Sequence, residues 1–334
     1  MSSVEQQNSV ERESVLEPEK SRLPRVSLIL LNWNSYEVTA DCLLSIRKLG
    51  YPNFEVVLVD NGSHDSSIED LENKFPEVRF IRNKNNLGFT GGNNVGIRDA
   101  LERGADYLLL LNNDTVVAPD FLAEMVRVAE SDSKIGILNP KIYFFEPSDR
   151  LWYGGGILKP WWSFPKHLGL HKLDGAKYSQ TREVSFITGC AFMIRAEVVR
   201  RIGLLDETFF YSFEDADWSL RALKAGFKAV YVAPAMIWHK DSYVTKKNAG
   251  KDLRDFYHTR NSILLARKHL PGKYWPLFLL SFGRWLGYRT AGYLVRREPH
   301  RVRALYKGIW SGCRTRMQQS ALSNQHSAPK PKSG

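Results

Sequence analysis

The sequence predicts an α/β protein with a mostly parallel central sheet and helices on both of its faces. Two features carry that expectation. From Val26 onward short apolar runs alternate with stretches of helical character, and the helical stretches close on glycine. Residues 26–31, 54–59, 78–81 and 107–111 read as buried strands bounded by polar or turn residues. Between them, residues 36–49, 66–75 and 92–103 read as helices, the first capped by Gly50 and the third by Gly104 in the left-handed conformation. The resulting βαβαβαβ order calls for parallel strands, and ligands of such sheets sit beyond the strands' carboxyl ends.

Beyond Pro119 another helix follows, then an apolar run at 135–138 and a loop-rich stretch with Gly154-Gly155-Gly156 and Trp161-Trp162. Residues 191–195 read as a strand, 214–225 as a helix closed by Gly226, and 229–232 as a strand. There is no internal repeat.

At 334 residues and 43% hydrophobic content, the chain can bury one large core and carry an appendage. Cys42, Cys190 and Cys313 are far apart and form no CxxC or Cys/His cluster. That excludes a disulfide scaffold or zinc site and suits a reducing cytoplasm. Charge divides the chain unevenly: residues 1–239 carry 27 Lys and Arg against 32 Asp and Glu, residues 240–334 carry 20 against 4. We read a polar, disordered tail at 1–24 that lacks the apolar stretch of a secretory signal, and a catalytic-type main domain at 25–240. A basic helical region follows at 241–316, with helices at 252–269 and 274–297, then a disordered Ser/Pro/Lys tail at 317–334. A basic block suits nucleic acid, anionic lipid or a phosphorylated ligand, but no nucleic-acid module accompanies it, so no nucleic-acid partner is expected.

The polar residues at the strand ends are the candidates for chemistry. The first strand ends in Asn32-Trp33-Asn34, without the glycine-rich turn of a dinucleotide site. The second ends in Asp60-Asn61-Gly62-Ser63, where a carboxylate can accept hydrogen bonds from a uracil or thymine N–H or a ribose hydroxyl; Asp, Asn and Ser also favour a plain turn and helix cap. The fourth delivers Asn112-Asn113-Asp114. A carboxylate ending a buried apolar strand is costly unless paired, and a hard cation bridging a diphosphate would pair with it, so Mg²⁺ or Mn²⁺ is implied. The alternative is a carboxylate that only caps a turn before Pro119.

The ordered set Leu30-Leu31-Asn32-Trp33-Asn34, Val59-Asp60-Asn61-Gly62-Ser63, Asn86-Leu87-Gly88-Phe89 with Gly92-Asn93-Asn94, and Asn112-Asn113-Asp114 resembles the family 2 inverting glycosyltransferases of the GT-A fold, most of all bacterial rhamnosyltransferase-like members. The likeness covers residues 26–240. It implies a nucleobase contact at Asp60, a nucleotide pocket lined by the segment from Asn86 through Gly88, Phe89, Gly92 and Asn93, and metal binding at Asp114, the last residue of a D-x-D motif whose first position is Asn112 here. Asn32, Asn34, Asn61, Ser63 and Asn113 belong to the same nucleotide-sugar set. A metal-binding histidine after the last sheet strand would be His239, whose imidazole favours manganese; a lone histidine there can also be structural. The resemblance places the catalytic base in the Glu214-Asp215 pair, with Asp215 the choice and Glu214 its support or substitute, and a small-residue turn at Gly189 against the donor sugar. Asp217, four residues before Arg221, reads as structural. Arg260 could meet a diphosphate of donor or acceptor, or could be a solvated helix residue.

The implied activity is transfer of L-rhamnose or another hexose from a dTDP- or UDP-sugar to a glycan acceptor, with a lipid-linked acceptor among the options. A catalytically silent nucleotide-sugar binder on the same fold is the alternative. The last helix mixes Trp, Phe, Tyr and Leu with Arg284 and Arg289, too interrupted to cross a membrane. It suits either a helix lying on the anionic inner face of the cell membrane or an ordinary packed helix.

Overall fold

A computed structural model of the chain describes residues 22–159, 161, 164–240 and 250–316. The tails expected at 1–24 and 317–334 lie outside these residues except for 22–24, and Trp162 also lies outside them.

The first half follows the predicted alternation: β1 (Val26–Asn32), α1 (Tyr36–Ile46), β2 (Phe54–Asp60), α2 (Ser67–Lys74), β3 (Arg79–Arg82), α3 (Gly88–Glu102) and β4 (Tyr107–Leu111). After β5 (Thr115–Val117), α4 (Phe121–Glu130), β6 (Ile135–Phe144) and β7 (Leu151–Tyr153) comes a small hairpin of β8 (Gly156–Ile157) and β9 (Lys166–His167). Then follow β10 (Arg182–Val184), β11 (Ala191–Arg195), α5 (Ala196–Ile202), α6 (Glu214–Lys224) and β12 (Lys228–His239). Three helices close the described chain, α7 (Lys251–His269), α8 (Trp275–Val295) and α9 (Pro299–Arg314). The last was not separated from the basic region in the sequence.

The strands order as β10-β12-β6-β11-β4-β1-β2-β3, with β5 on β12 and β7 on β6. Strands β3, β2, β1 and β4 are mutually parallel, β11 runs against both β4 and β6, and β12 is parallel to β6. The mostly parallel sheet is therefore observed. All five residues of β4 are buried, as expected of a strand covered on both faces. Register places Asn32 beside Asp60 and Leu30 beside Leu111, so the polar ends of β1, β2 and β4 emerge together.

Where elements differ from the sequence expectation, tertiary contact is the reason. Helix α3 starts at Gly88 rather than 92, running through Gly91 and Gly92. A Cβ on Gly92 would lie 2.5 Å from Leu31 Cδ1, so this glycine lets the helix approach the sheet. Gly104 and Gly226 adopt the predicted left-handed caps, with φ of 77° and 90°. Gly50 does not: α1 stops at Ile46, and the Gly50 N–H instead donates to Pro119 O at 2.9 Å. Strand β12 runs on to His239 through a register break between Val232 and Met236, and this break absorbs Pro234, which has no N–H for the ladder.

The C-terminal helices are joined by one buried carboxylate. Asp255 on α7 accepts from Arg301 Nε on α9 at 2.7 Å, and from Tyr293 Oη and Arg289 Nη2 on α8 at 2.9 and 3.3 Å. Gly308 and Gly312 let α9 lie directly on α7, where added Cβ atoms would fall 2.6 Å from Phe256 O and 2.8 Å from Arg260 O.

Gly96 of α3 gives a direct test of helix-on-sheet contact, because a Cβ there would lie 2.5 Å from Ile29 Cγ2. Gly96→Val should lower unfolding stability by about 1–3 kcal/mol despite removing a helix glycine. Urea denaturation monitored by tryptophan fluorescence checks this.

Candidate active site

The strand ends, the loop before α6 and the start of α7 enclose a cavity of about 690 Å³, within the usual range for a small-molecule site. Of the predicted residues, Asn61, Asn86, Gly88, Phe89, Asn93, Asn113, Asp114, Gly189, Glu214, Asp215 and His239 line it. Asn32, Asn34, Asp60, Ser63, Gly92 and Arg260 do not.

Those behind the wall support those in it. Asp60 is buried and accepts from Asn32 Nδ2 at 3.1 Å, Ser63 N–H at 3.1 Å and Ser63 Oγ–H at 2.5 Å. Asn32 Oδ1 accepts from Thr39, whose Oγ1 in turn accepts from Asn113 Nδ2 at 2.7 Å, linking the ends of β1, β2 and β4 in one network. Asn34, at φ 50°, donates its backbone N–H to Ser63 Oγ, and its Oδ1 accepts from the His64 N–H. Asn61 shapes the loop before α3: it donates to Asn86 Oδ1 and Gly88 O and accepts from Asn83 and the Leu87 N–H.

At the opposite wall, Asp114 and His239 face each other with Nε2 and Oδ1 3.1 Å apart, both side chains nearly inaccessible. Their strands are paired here, since the Lys240 N–H donates to Asp114 O at 2.8 Å. The Nε2 approach has ion-pair distance but not the alignment of a hydrogen bond, and neither ring nitrogen makes an aligned one. We take the short contact as electrostatic. Burial opposes charge on His239, while Cys190 and Asp114 beside it favour the charged form and raise its pKa well above the ordinary imidazole value. Among the described residues there is no group of three or more His, Cys, Asp or Glu that could hold a metal alone. A hard carboxylate oxygen and a buried imidazole on one cavity wall nevertheless suit a divalent cation that displaces the imidazole proton and takes its other ligands from phosphate or water.

Glu214 and Asp215 open α6 on the cavity floor. Asp215 Oδ2 accepts the Gly189 N–H at 2.9 Å and Oδ1 the Ala216 N–H at 2.7 Å. Burial pushes the Asp215 carboxyl up to about 6, against the lowering effect of those amides. Glu214 is raised well above the carboxylate range by burial and by Asp215, and its Oε2 is buried without a hydrogen-bond partner. Asp217, by contrast, turns away and is held low by His269, Arg221 and Lys268 despite its burial. Its structural reading fits that placement.

The loop before α6 holds Phe210, Ser212 and Phe213 at φ of 59°, 66° and 74°, a strained run for residues with side chains. Asn261 of α7 pins it, its Nδ2 lying 2.8–2.9 Å from the carbonyls of Phe209, Tyr211 and Ser212. Arg260 does the same one residue earlier. Its Nη1 donates to Thr208 O and Asn261 Oδ1, so the guanidinium expected at a diphosphate is committed to holding this loop. The Phe210 carbonyl accepts from the Phe89 and Thr90 N–H groups, joining the loop to the first turn of α3.

Sequence reading missed the aromatic wall and the α7 lip. Trp152 packs edge-on against His239 and His167, at 4.7 and 4.5 Å between ring centres, and Phe164 reaches the cavity from the loop before β9. From α7 come Leu253, Arg254 and His258. The last two, one turn apart, were the available signal for a helix face turned to the site; Arg254 is the cation that borders the cavity in place of Arg260. Burial lowers both His167 and His258 to about 4, so both are neutral near pH 7.

Residues 27–203 match the model of "Glycosyl transferase family 2". The chain belongs to that family. Among its relatives is the N-acetylglucosaminyl-diphospho-decaprenol L-rhamnosyltransferase of Mycobacterium tuberculosis, 27% identical over 232 residues, covering 64% of this chain and 75% of the relative. The dTDP-rhamnosyl transferase RfbF of Shigella flexneri is 26% identical over 234 residues, covering 68% and 75%. In solved structures the family 2 chain shares its GT-A fold with S. aureus TarS 1-349 bound to UDP-GlcNAc, at TM-score 0.57 and 15% identity over 86% of this chain and 81% of that one. It shares it also with a Pyrobaculum calidifontis mannosyltransferase bound to GDP-Man and Mn²⁺, at TM-score 0.53 and 15% identity over 89% and 77%.

Replacing Asn261 leaves three carbonyls of the pre-α6 loop without their donor. Asn261→Ala should cost about 2–4 kcal/mol of stability, the range for several buried unsatisfied groups. Limited proteolysis should then cut first near residues 208–213, where the wild type is protected.

Proposed function

We propose that this family 2 member is an inverting, divalent-ion-dependent transferase. It moves L-rhamnose or another hexose from a dTDP- or UDP-sugar to an acceptor hydroxyl in polysaccharide or cell-envelope glycan synthesis. The observation that carries the reading is one cavity with an Asp114–His239 pair on one wall and Asp215, at about 6, on its floor. The rhamnosyl activity named for two relatives supports the sugar, and the diphospho-decaprenol in one of their names supports a lipid-linked acceptor.

In this reading Asp114 and His239 hold Mn²⁺ or Mg²⁺, which when bound neutralises charge on the departing nucleoside diphosphate. Asn61, Asn86 and Asn93 fix the nucleotide part of the donor from the β2 and α3 side. Gly189 presents open backbone near Asp215, where a Cβ would lie 3.6 Å from the carboxylate and narrow the sugar's place. Asp215 takes the proton of the acceptor hydroxyl as that oxygen attacks the anomeric carbon from the face opposite the diphosphate, which inverts configuration. A base with pKa near 6 is ionised at neutral pH yet basic enough to share that proton. Glu214, whose carboxyl burial and the neighbouring Asp215 push toward the neutral form, limits the second negative charge near the attacking oxygen.

Asp114→Ala should abolish transfer and most of the divalent-ion stimulation, with His239→Ala weaker in both effects; diphosphate release titrated with Mn²⁺ measures this. Near-normal Mn²⁺-dependent turnover in the Asp114 variant would refute the assignment.

Asp215 must be deprotonated to act, so kcat should rise with pH through about 6 and level above it. Asp215→Asn should lose turnover by about 10²-fold or more, keep donor binding by calorimetry and lose this limb, while Glu214→Gln is milder. Lost donor binding in the Asn variant would make Asp215 a donor contact, and a larger loss in Glu214→Gln would move the base to Glu214.

A further inference from the structure

Helix α8 is apolar on two faces, and only one of them is covered. Phe278, Phe282 and Tyr293 are buried on the inner face, the first two packing with Ile263 and Ala266 of α7. On the opposite face Leu277, Leu280, Tyr288, Leu294 and Val295 are 48, 64, 81, 58 and 84% exposed. Gly283 and Gly287 lie in that stripe, and a Cβ on either would meet nothing within 4 Å, so no part of the described chain sits against it. Arg284 is the one charge among the stripe's exposed positions, and Lys273, Arg296 and Arg297 bracket its ends. The helix cannot swing out to cross a bilayer unaided: its inner face is packed, Arg289 is held by Asp255, and no described helix is long and apolar enough to cross.

Helix α9 adds the complementary chemistry. Arg303, Tyr306, Lys307, Trp310 and Arg314 recur at helical spacing on its exposed face, with Tyr306 and Trp310 51 and 60% exposed and Arg314 stacked on Trp310 at 4.5 Å. Aromatic rings interleaved with cations are the side chains that favour the headgroup layer. Residues 250–316 hold 15 Lys and Arg against 3 Asp and Glu. That charge decides the occupant. A second copy would bring the same positive charge to the contact, and a nucleic acid would leave the exposed leucines in water, whereas an anionic bilayer satisfies both.

We propose that the outer faces of α8 and α9 dock this protein on an anionic lipid bilayer, with the leucines of α8 entering the acyl boundary. The two readings open in the sequence, a packed helix and an interfacial one, are then both true of α8, one on each face. Trp285 of α8 sits 4.5 Å from Phe164, which lines the cavity, so docking places the active site next to the lipid surface. The benefit to a lipid-linked acceptor rests on the function proposed above; the bilayer contact does not.

Co-sedimentation of the full chain with vesicles tests it, using phosphatidylglycerol in phosphatidylcholine against phosphatidylcholine alone, at low and high salt. Binding should be confined to the acidic vesicles and weaken with salt. Leu280→Glu with Leu294→Glu, and separately Arg303→Glu with Lys307→Glu, should each reduce it roughly tenfold or more. Unchanged melting curves, and unchanged turnover if a soluble acceptor is found, would show that these exposed substitutions leave the fold and site intact. Absence of binding to acidic vesicles at low salt, or binding equal in wild type and the double leucine variant, overturns the proposal. So does a dimer in sedimentation velocity that the leucine variant abolishes while vesicles are ignored, which would assign the face to a second copy. Because vesicle binding needs no turnover, its failure is distinct from failure of the transferase reading.

Discussion

The site depends on one constraint: α6 must start beneath the cavity, with its first carboxylates facing inward. The chain reaches that point from Leu205 through a turn that no regular element could supply, and Phe210, Ser212 and Phe213 adopt left-handed backbone there. Such conformations cost of order 1–3 kcal/mol each and persist only where surrounding structure over-determines them. Here the surroundings are identifiable. Asn94 brackets Leu205 with two hydrogen bonds, the first turn of α3 holds the Phe210 carbonyl, and Arg260 and Asn261 hold the carbonyls from Thr208 to Ser212. Helix α3 and the C-terminal helices thus jointly set the position of the proposed base.

The first turn of α6 shows how partners, more than residue type, decide chemistry. Asp215, half-buried on the cavity floor, and Asp217, fully buried, are acids at one helix N-terminus. Asp217 meets the Arg221 and Lys268 cations and the His269 imidazole from α6 and α7 and stays ionised, a tie between helices. Asp215 meets only backbone N–H groups, which offset part of its desolvation and leave it near 6. Glu214, with an unpartnered oxygen and Asp215 alongside, is pushed further still. Two neighbouring carboxyls titrating apart is the usual arrangement of an acid–base site.

What the sequence disclosed follows from the same physics. The strands β1, β2 and β4 were legible because they are short apolar runs, and the polar residues after them because such sheets put ligands at those ends. The pairing of Asp114 with His239 was legible only through a family resemblance, since 125 residues separate them and β5 brings them together by pairing with β12. The direction of Arg260, read as either a diphosphate contact or a solvated helix residue, was not legible because a basic residue on a helix declares its charge and not its direction. The same holds for Arg254, which borders the cavity one and a half turns earlier. The first turn of α3, from Gly88 to Gly91, was not legible as helix, because a glycine inside a helix and a glycine that breaks one are the same letter.

Helix α7 is where the catalytic unit and the basic appendage become one structure. Its first turns bring Leu253, Arg254 and His258 to the cavity, its middle clamps the pre-α6 loop through Arg260 and Asn261, and its end grips Asp217 through Lys268 and His269. On its other side Asp255 anchors α8 and α9. An appendage joined this way is no passive tether. Displacing α8 and α9 would strand the buried charge of Asp255 on the same helix that holds the loop of the proposed base, and a buried charge deprived of its partner is strongly destabilising. The surface that carries the exposed leucines and the floor that carries Asp215 are therefore held to each other through α7, so that whatever fixes the orientation of the former also fixes that of the latter.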